Sequence, residues 1–124
     1  MELKIPIYNQ PYHIILTNDI WEYHERNEIQ GVKEEVEKYA GLFLKVDGNL
    51  QILFRDDYYS IGCITHEAFH LTNYIMKQIG SRLDDSSEEF FAYLLTYITE
   101  QVVEALLSLK IQKSIFEETI VDKP

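Results

Sequence analysis

One cysteine, three prolines and five glycines in 124 residues exclude several kinds of protein at once. The lone thiol, Cys63, rules out an intramolecular disulfide and any cysteine-rich zinc ribbon, which needs several thiolates at short spacing. A metal held by this chain must rely mainly on histidine and carboxylate. Basic residues are scarce too: 11 Lys and Arg stand against 21 Asp and Glu, a net charge of −10. Such a surface repels phosphate backbones and anionic lipid, because Lys and Arg supply the favourable term in those encounters. Neither nucleic acid nor a membrane is expected as a partner. No run reaches the roughly 18 apolar residues that span a bilayer, and "MELKIPIYNQPYH" lacks a basic segment followed by an apolar one. A cytoplasmic protein is the expectation.

What is present fits one α+β domain over residues 1–124. Apolar residues make up 46% and charged residues 26%, close to the globular average, so a core is available and disorder is not favoured. Residues 1–60 read as a sheet plus one helix. Leu3 to Tyr8 and Tyr12 to Thr17 are extended, separated at Asn9-Gln10-Pro11, where proline blocks a continuing ladder. Val32, Val36 and Tyr39 fall at helical spacing, with Gly41 as a stop. "LFLKVDGNLQILF" reads as a hairpin turning at Asp47-Gly48, a pair that accepts positive φ, and ending near Phe54. Residues 61–80 carry apolar positions at helical spacing and end at Gly80. A second helix is expected over 87–112, started by a Ser86–Glu89 capping box. The tail, 113–124, is left open between an extended segment and a frayed end.

The first of these helices contains "THEAFH". His70 stands four positions after His66 on the helix, about 40° net, so both imidazoles leave one face a turn apart and can reach one zinc ion. Glu67 stands about 100° from His66 and 60° from His70, beside such an ion without ligating it, where a carboxylate can take a proton from water. The apolar neighbours Ile64, Ala68, Phe69 and Leu71 indicate a core helix, on which two unpartnered histidines and a glutamate would cost several kcal/mol. A shared metal would satisfy all three. A third ligand is offered by Glu88 and Glu89 at the start of the last helix, if it returns antiparallel beside the histidines. The two project about 100° apart, so only one can face the metal well.

His66, Glu67 and His70, then eighteen residues, then Glu89, is similar to the HExxH-x18-E pattern of the gluzincin metallopeptidases. The similarity spans about thirty residues, and the rest of the chain resembles only loosely the small zincin-like domains of phage and bacteria. This resemblance implies zinc on His66, His70 and Glu89, Glu67 as the base activating a zinc-bound water, and a peptide or protein substrate. It also implies a sheet beside the active helix whose edge strand aligns an extended peptide, with Leu50 to Phe54 as the strand. Asn73 and Met76 stand where a metzincin carries glycine and a third histidine, which excludes that branch. Larger gluzincins build the substrate cleft from further domains that 124 residues do not hold. The alternative reading is a non-catalytic scaffold of the same type that binds or regulates, with or without zinc.

A hydrolase also needs a donor for the developing oxyanion. Tyr93, one turn after Glu89, is the first candidate, and Tyr58 and Tyr59 precede the active helix. Each has packing as its commoner role. Cys63 lies one turn before the motif, as a buried thiol or a further ligand, and His13 and His24 lack a spaced partner and read as surface or satisfied histidines.

Overall fold

The computed structural model describes residues 1–5, 10–46, 48–56 and 60–121, with the side chains of residue 5 and of 112–121 outside the description. Strands β1 (Glu2–Ile5) and β2 (Gln10–Thr17) are followed by helices α1 (Ile20–Arg26) and α2 (Lys33–Val36). Strands β3 (Gly41–Val46) and β4 (Asn49–Arg55) come next, then helices α3 (Ile61–Gln78) and α4 (Glu88–Val121). The fold is α+β, with one mixed sheet in the order β1-β2-β4-β3. β1 runs antiparallel to β2 and β3 to β4, while β2 and β4 are parallel across the middle.

Pairing follows from the residues. Pro11 faces Lys4 of β1, and β4 joins β2 only from Tyr12 onward, so the missing N–H falls outside the central ladder. Gly48 takes φ 81° in the β3–β4 turn, closed by Val46 opposite Asn49; Asp47 lies outside the described residues. Along β4, Leu50, Ile52, Leu53 and Phe54 are all buried, because the strand is covered on both faces. Tyr12, Ile14, Leu50, Ile52 and Phe54 meet α3 and α4, whereas Leu53 joins Ile20, Tyr23 and Val36 beneath α1 and α2.

Between β2 and β3 the single helix expected from Val32, Val36 and Tyr39 is replaced by two short ones. α1 starts at Asp19, whose carboxylate accepts from the Glu22 N–H at 3.1 Å, and ends at Asn27 before Glu28 turns to φ 55°. Only one turn, α2, forms around Val36. Gly41 is not a helix stop; it opens β3. A Cβ there would stand 2.7 Å from the Cys63 sulfur and 3.2 Å from the Leu53 carbonyl oxygen, so glycine lets α3 dock closely on the edge strand. Gly41→Ala is accordingly expected to cost about 2 kcal/mol by overpacking, read from urea denaturation, and Cys63→Ala in the same chain to restore part of it.

α3 and α4 form the second layer. Ser60 caps α3, accepting from the Cys63 N–H at 3.1 Å. Its far end closes at Gly80, φ 74°, with Ser81 N–H donating to Met76 and Gly80 N–H to Lys77, the Schellman pattern. At the start of α4 the Asp84 carboxylate accepts from the Ser86 and Ser87 amides at 2.9 and 3.0 Å, in place of a Ser86–Glu89 capping box. The Ser86 hydroxyl, which also donates to Asp84, and then these amides hold the Asp84 carboxyl below its usual pKa.

α4 then runs on through Val121, about 50 Å in all, so most of the tail is helix. Its inner stripe, Phe91, Leu94, Ile98, Val102, Ala105 and Leu106, is buried. Glu88–Ile111 is long and apolar enough to cross a bilayer by length and composition, and here that inner stripe fills the core. On one flank Gln101 accepts from the Tyr12 hydroxyl at 2.6 Å and donates to the Lys4 carbonyl at 3.3 Å, tying the helix to β1 and β2.

Candidate metal centre

α3 presents four different surroundings around its circumference. Ile64, Ala68, Leu71 and Ile75 face the core, and Phe69 reaches α4, its ring 5.3 Å from that of Phe91. Cys63 and Tyr74 meet β3, at Gly41 and Phe43. The remaining face is open, and His66 and His70 leave the helix there, both exposed.

Their side chains converge. The two Nε2 atoms face each other at 3.1 Å, with the rings edge to face and centroids 4.8 Å apart. At ordinary zinc–nitrogen distances of about 2.0–2.1 Å, nitrogens with that separation subtend roughly 100° at a common ion, close to a tetrahedral angle. Glu67, one residue on, is only 4% exposed, with Oε1 3.7 Å from His66 Nε2. Its Oε2 is buried without a hydrogen-bond partner. An orphaned buried carboxylate oxygen beside two convergent imidazole nitrogens is what a cation site offers, and these three residues can hold a metal ion.

Electrostatics agree with that use. Burial raises the Glu67 pKa, with His66 and the Phe43 N–H favouring the charged form against it. His70 is shifted down, by burial first and by His66 second, which favours the neutral imidazole a metal requires. Cys63 is raised, by burial first and then by the Glu67 charge, so its thiol stays protonated near neutral pH. Since only the thiolate reacts, alkylation of Cys63 by iodoacetamide at pH 8 is expected to be at least about tenfold slower in the folded protein than in urea.

A groove of about 270 Å³ runs alongside, lined by Tyr39, Gly41, Leu42, Phe43, His66, Glu67 and His70. Its far wall is β3, and this corrects the expectation for Leu50 to Phe54. That segment lies in β4, between β2 and β3, and the edge strand beside the motif is Gly41–Val46. Burial on both faces marks a central strand, and the partly exposed, lysine-bearing β3 reads as an edge. The Arg55 N–H donates to the Ala40 carbonyl, so by the alternation of an antiparallel ladder the backbone groups of Gly41, Phe43 and Lys45 point away from β4, the N–H of Phe43 toward Glu67.

Among the described residues the cluster consists of His66, Glu67 and His70; neither Glu88 nor Glu89 joins it, and both are exposed at the start of α4. Tyr93 is 70% exposed and does not line the groove, whereas Tyr39 does. The helical spacing of Tyr39 with Val32 and Val36 masks this role in the sequence; its place just before an edge strand is the signal for it. Tyr58 and Tyr59 lie outside the described residues. His24 is buried and satisfied, its Nδ1 2.9 Å from the Ile20 carbonyl oxygen, and His13 is half-buried in β2 with Nε2 3.9 Å from Glu2. Comparison with protein-family models, with curated proteins and with solved structures finds no match to this chain.

Proposed function

We propose that this protein is a zinc-dependent hydrolase acting on peptide bonds, a minimal relative of the gluzincin-like metallopeptidases in its working parts. The observation that carries the reading is the pair of imidazole nitrogens at 3.1 Å beside a buried glutamate with an unpartnered oxygen, all opening on a groove along an edge strand. His66 and His70 would hold the metal. The chemistry a zinc ion supplies there when bound is Lewis acidity toward a carbonyl oxygen and toward water.

The chain's own groups do the rest. Glu67, made more basic by burial, takes a proton from the attacking water and returns it to the leaving amine. Edge strand β3 offers the backbone donors and acceptors of Gly41 and Lys45 and the Phe43 carbonyl to an extended peptide, which sets the scissile carbonyl beside Glu67. Tyr39 and Leu42, which also line the groove, shed water from the bound chain. The test is digestion of an unfolded protein by zinc-loaded enzyme, with a chelator-treated sample beside it. Cleavage by the first and not the second supports the reading; equal outcomes sink it.

A third ligand is best sought at Glu88. On α4 the Phe91 ring meets Phe69, and Glu88 lies about 60° from Phe91, on the flank opposite Gln101, while Glu89 lies about 160° away toward solvent. Glu88→Ala is therefore expected to weaken zinc binding about 10- to 100-fold in a competition titration and Glu89→Ala to change it less than about twofold. The reverse order would mean that the first turn of α4 is rotated relative to this description. A non-catalytic binding module is favoured instead if neither substitution matters, since the metal would then rest on two histidines.

A further inference from the structure

The lining of the groove ends at Phe43 and His70, and a further contact between β3 and α3 lies next to that end. One helical turn further along α3, Tyr74 packs on Phe43 with ring centroids 6.0 Å apart, and the Lys45 ammonium lies 5.7 Å from the centre of the Tyr74 ring. Residues 41, 43 and 45 advance about 6.8 Å per step along the strand, and their contacts follow α3 in the same direction: Gly41 lies against Cys63, Phe43 beside Glu67, and Lys45 against Tyr74.

An extended chain paired to β3 with its reacting carbonyl beside Glu67 therefore carries the side chain two residues away to Lys45. Lys45 is the one cation in β3, in a protein whose net charge is −10. Contact with the Tyr74 ring restrains its long side chain and leaves the ammonium donors for another partner. The surrounding acidic field repels anions in general, so a carboxylate is favoured only where it meets this ammonium.

We propose that Lys45 is a specificity-determining residue of this groove, selecting a substrate with a carboxylate two residues from the bond that is cut. The inference rests on the hydrolase reading for its register. The carboxylate can be an Asp or Glu side chain or the free C-terminus of the substrate.

The test uses one apolar peptide sequence with both ends blocked, carrying Glu, Gln or Lys two residues to either side of the central bond, and a fourth peptide whose free carboxylate falls at that position. Hydrolysis by the zinc-loaded protein gives kcat/KM, and fluorescence anisotropy gives binding to the zinc-loaded Glu67→Gln variant. The Glu peptide is expected to lead Gln by about 3- to 5-fold and Lys by about tenfold in both readouts. Lys45→Glu is expected to reverse the order of Glu and Lys, and Lys45→Met to erase it. A lead of the free-carboxylate peptide over internal Glu identifies the substrate terminus as the source. Hydrolysis with no preference, a preference unchanged in Lys45→Glu, or no binding of any peptide overturns the inference. Preferential binding of the Glu peptide without hydrolysis upholds carboxylate recognition and sinks the hydrolase reading alone.

Discussion

His70→Ala is expected to abolish the response of this protein to zinc while leaving its metal-free stability unchanged. A site bound at a hundredfold excess of ligand over Kd stabilises the native state by about 2.7 kcal/mol, which for a domain of this size raises Tm by roughly 8 °C. Removing one of two imidazoles that meet at 3.1 Å takes away half of the nitrogen donors of the site, so the shift should fall below about 1 °C. The exposed His70 ring makes little contribution to the core, and exposed substitutions of this kind stay within about 0.5 kcal/mol. Thermal denaturation with a chelator and with zinc separates the two effects. A full zinc shift in His70→Ala would place any metal elsewhere on this acidic surface.

Glu67→Gln carries the second large effect. The amide keeps the size and the buried position of the carboxylate but cannot accept the proton of water, so hydrolysis should fall about 10²- to 10⁴-fold with zinc binding retained. Stability should hold or rise, because the buried oxygen with no partner gives way to a neutral group. Peptide hydrolysis rates, zinc affinity and urea denaturation on the same preparation distinguish this outcome from simple misfolding. Retained activity would remove Glu67 as the base, and a loss of zinc along with activity would make it a ligand instead.

Much of this arrangement was legible in the residues, and the exceptions have physical causes. The β3–β4 hairpin, α3 with its glycine stop and the long last helix all follow from apolar period and turn chemistry, signals local to a dozen residues. The Asp19 cap and α1 were missed because a seven-residue helix presents barely two turns of periodicity. Which strand forms the edge is a matter of tertiary pairing. It showed only in the contrast between a strand buried on both faces and one bearing an exposed lysine. His66, Glu67 and His70 come together because helix geometry alone brings them together. A third ligand requires two helices to meet at one level with matched rotation, and spacing in sequence does not specify that rotation. Hence Glu88 and Glu89 both had suitable spacing, and among the described residues neither joins His66, Glu67 and His70.

The central claim is that His66 and His70 share one metal ion beside Glu67, and cobalt(II) titration of the chelator-treated protein tests it most directly. Cobalt takes the place of zinc and reports its ligands by colour. The account predicts saturation at one equivalent, visible d–d bands of a low-coordinate nitrogen and oxygen site, and no thiolate-to-metal charge transfer, since Cys63 stays protonated and packed against Gly41. It also predicts that the bands vanish in the His66→Ala, His70→Ala double variant. Bands that survive in that variant, or no saturable binding by the wild-type chain, would contradict it.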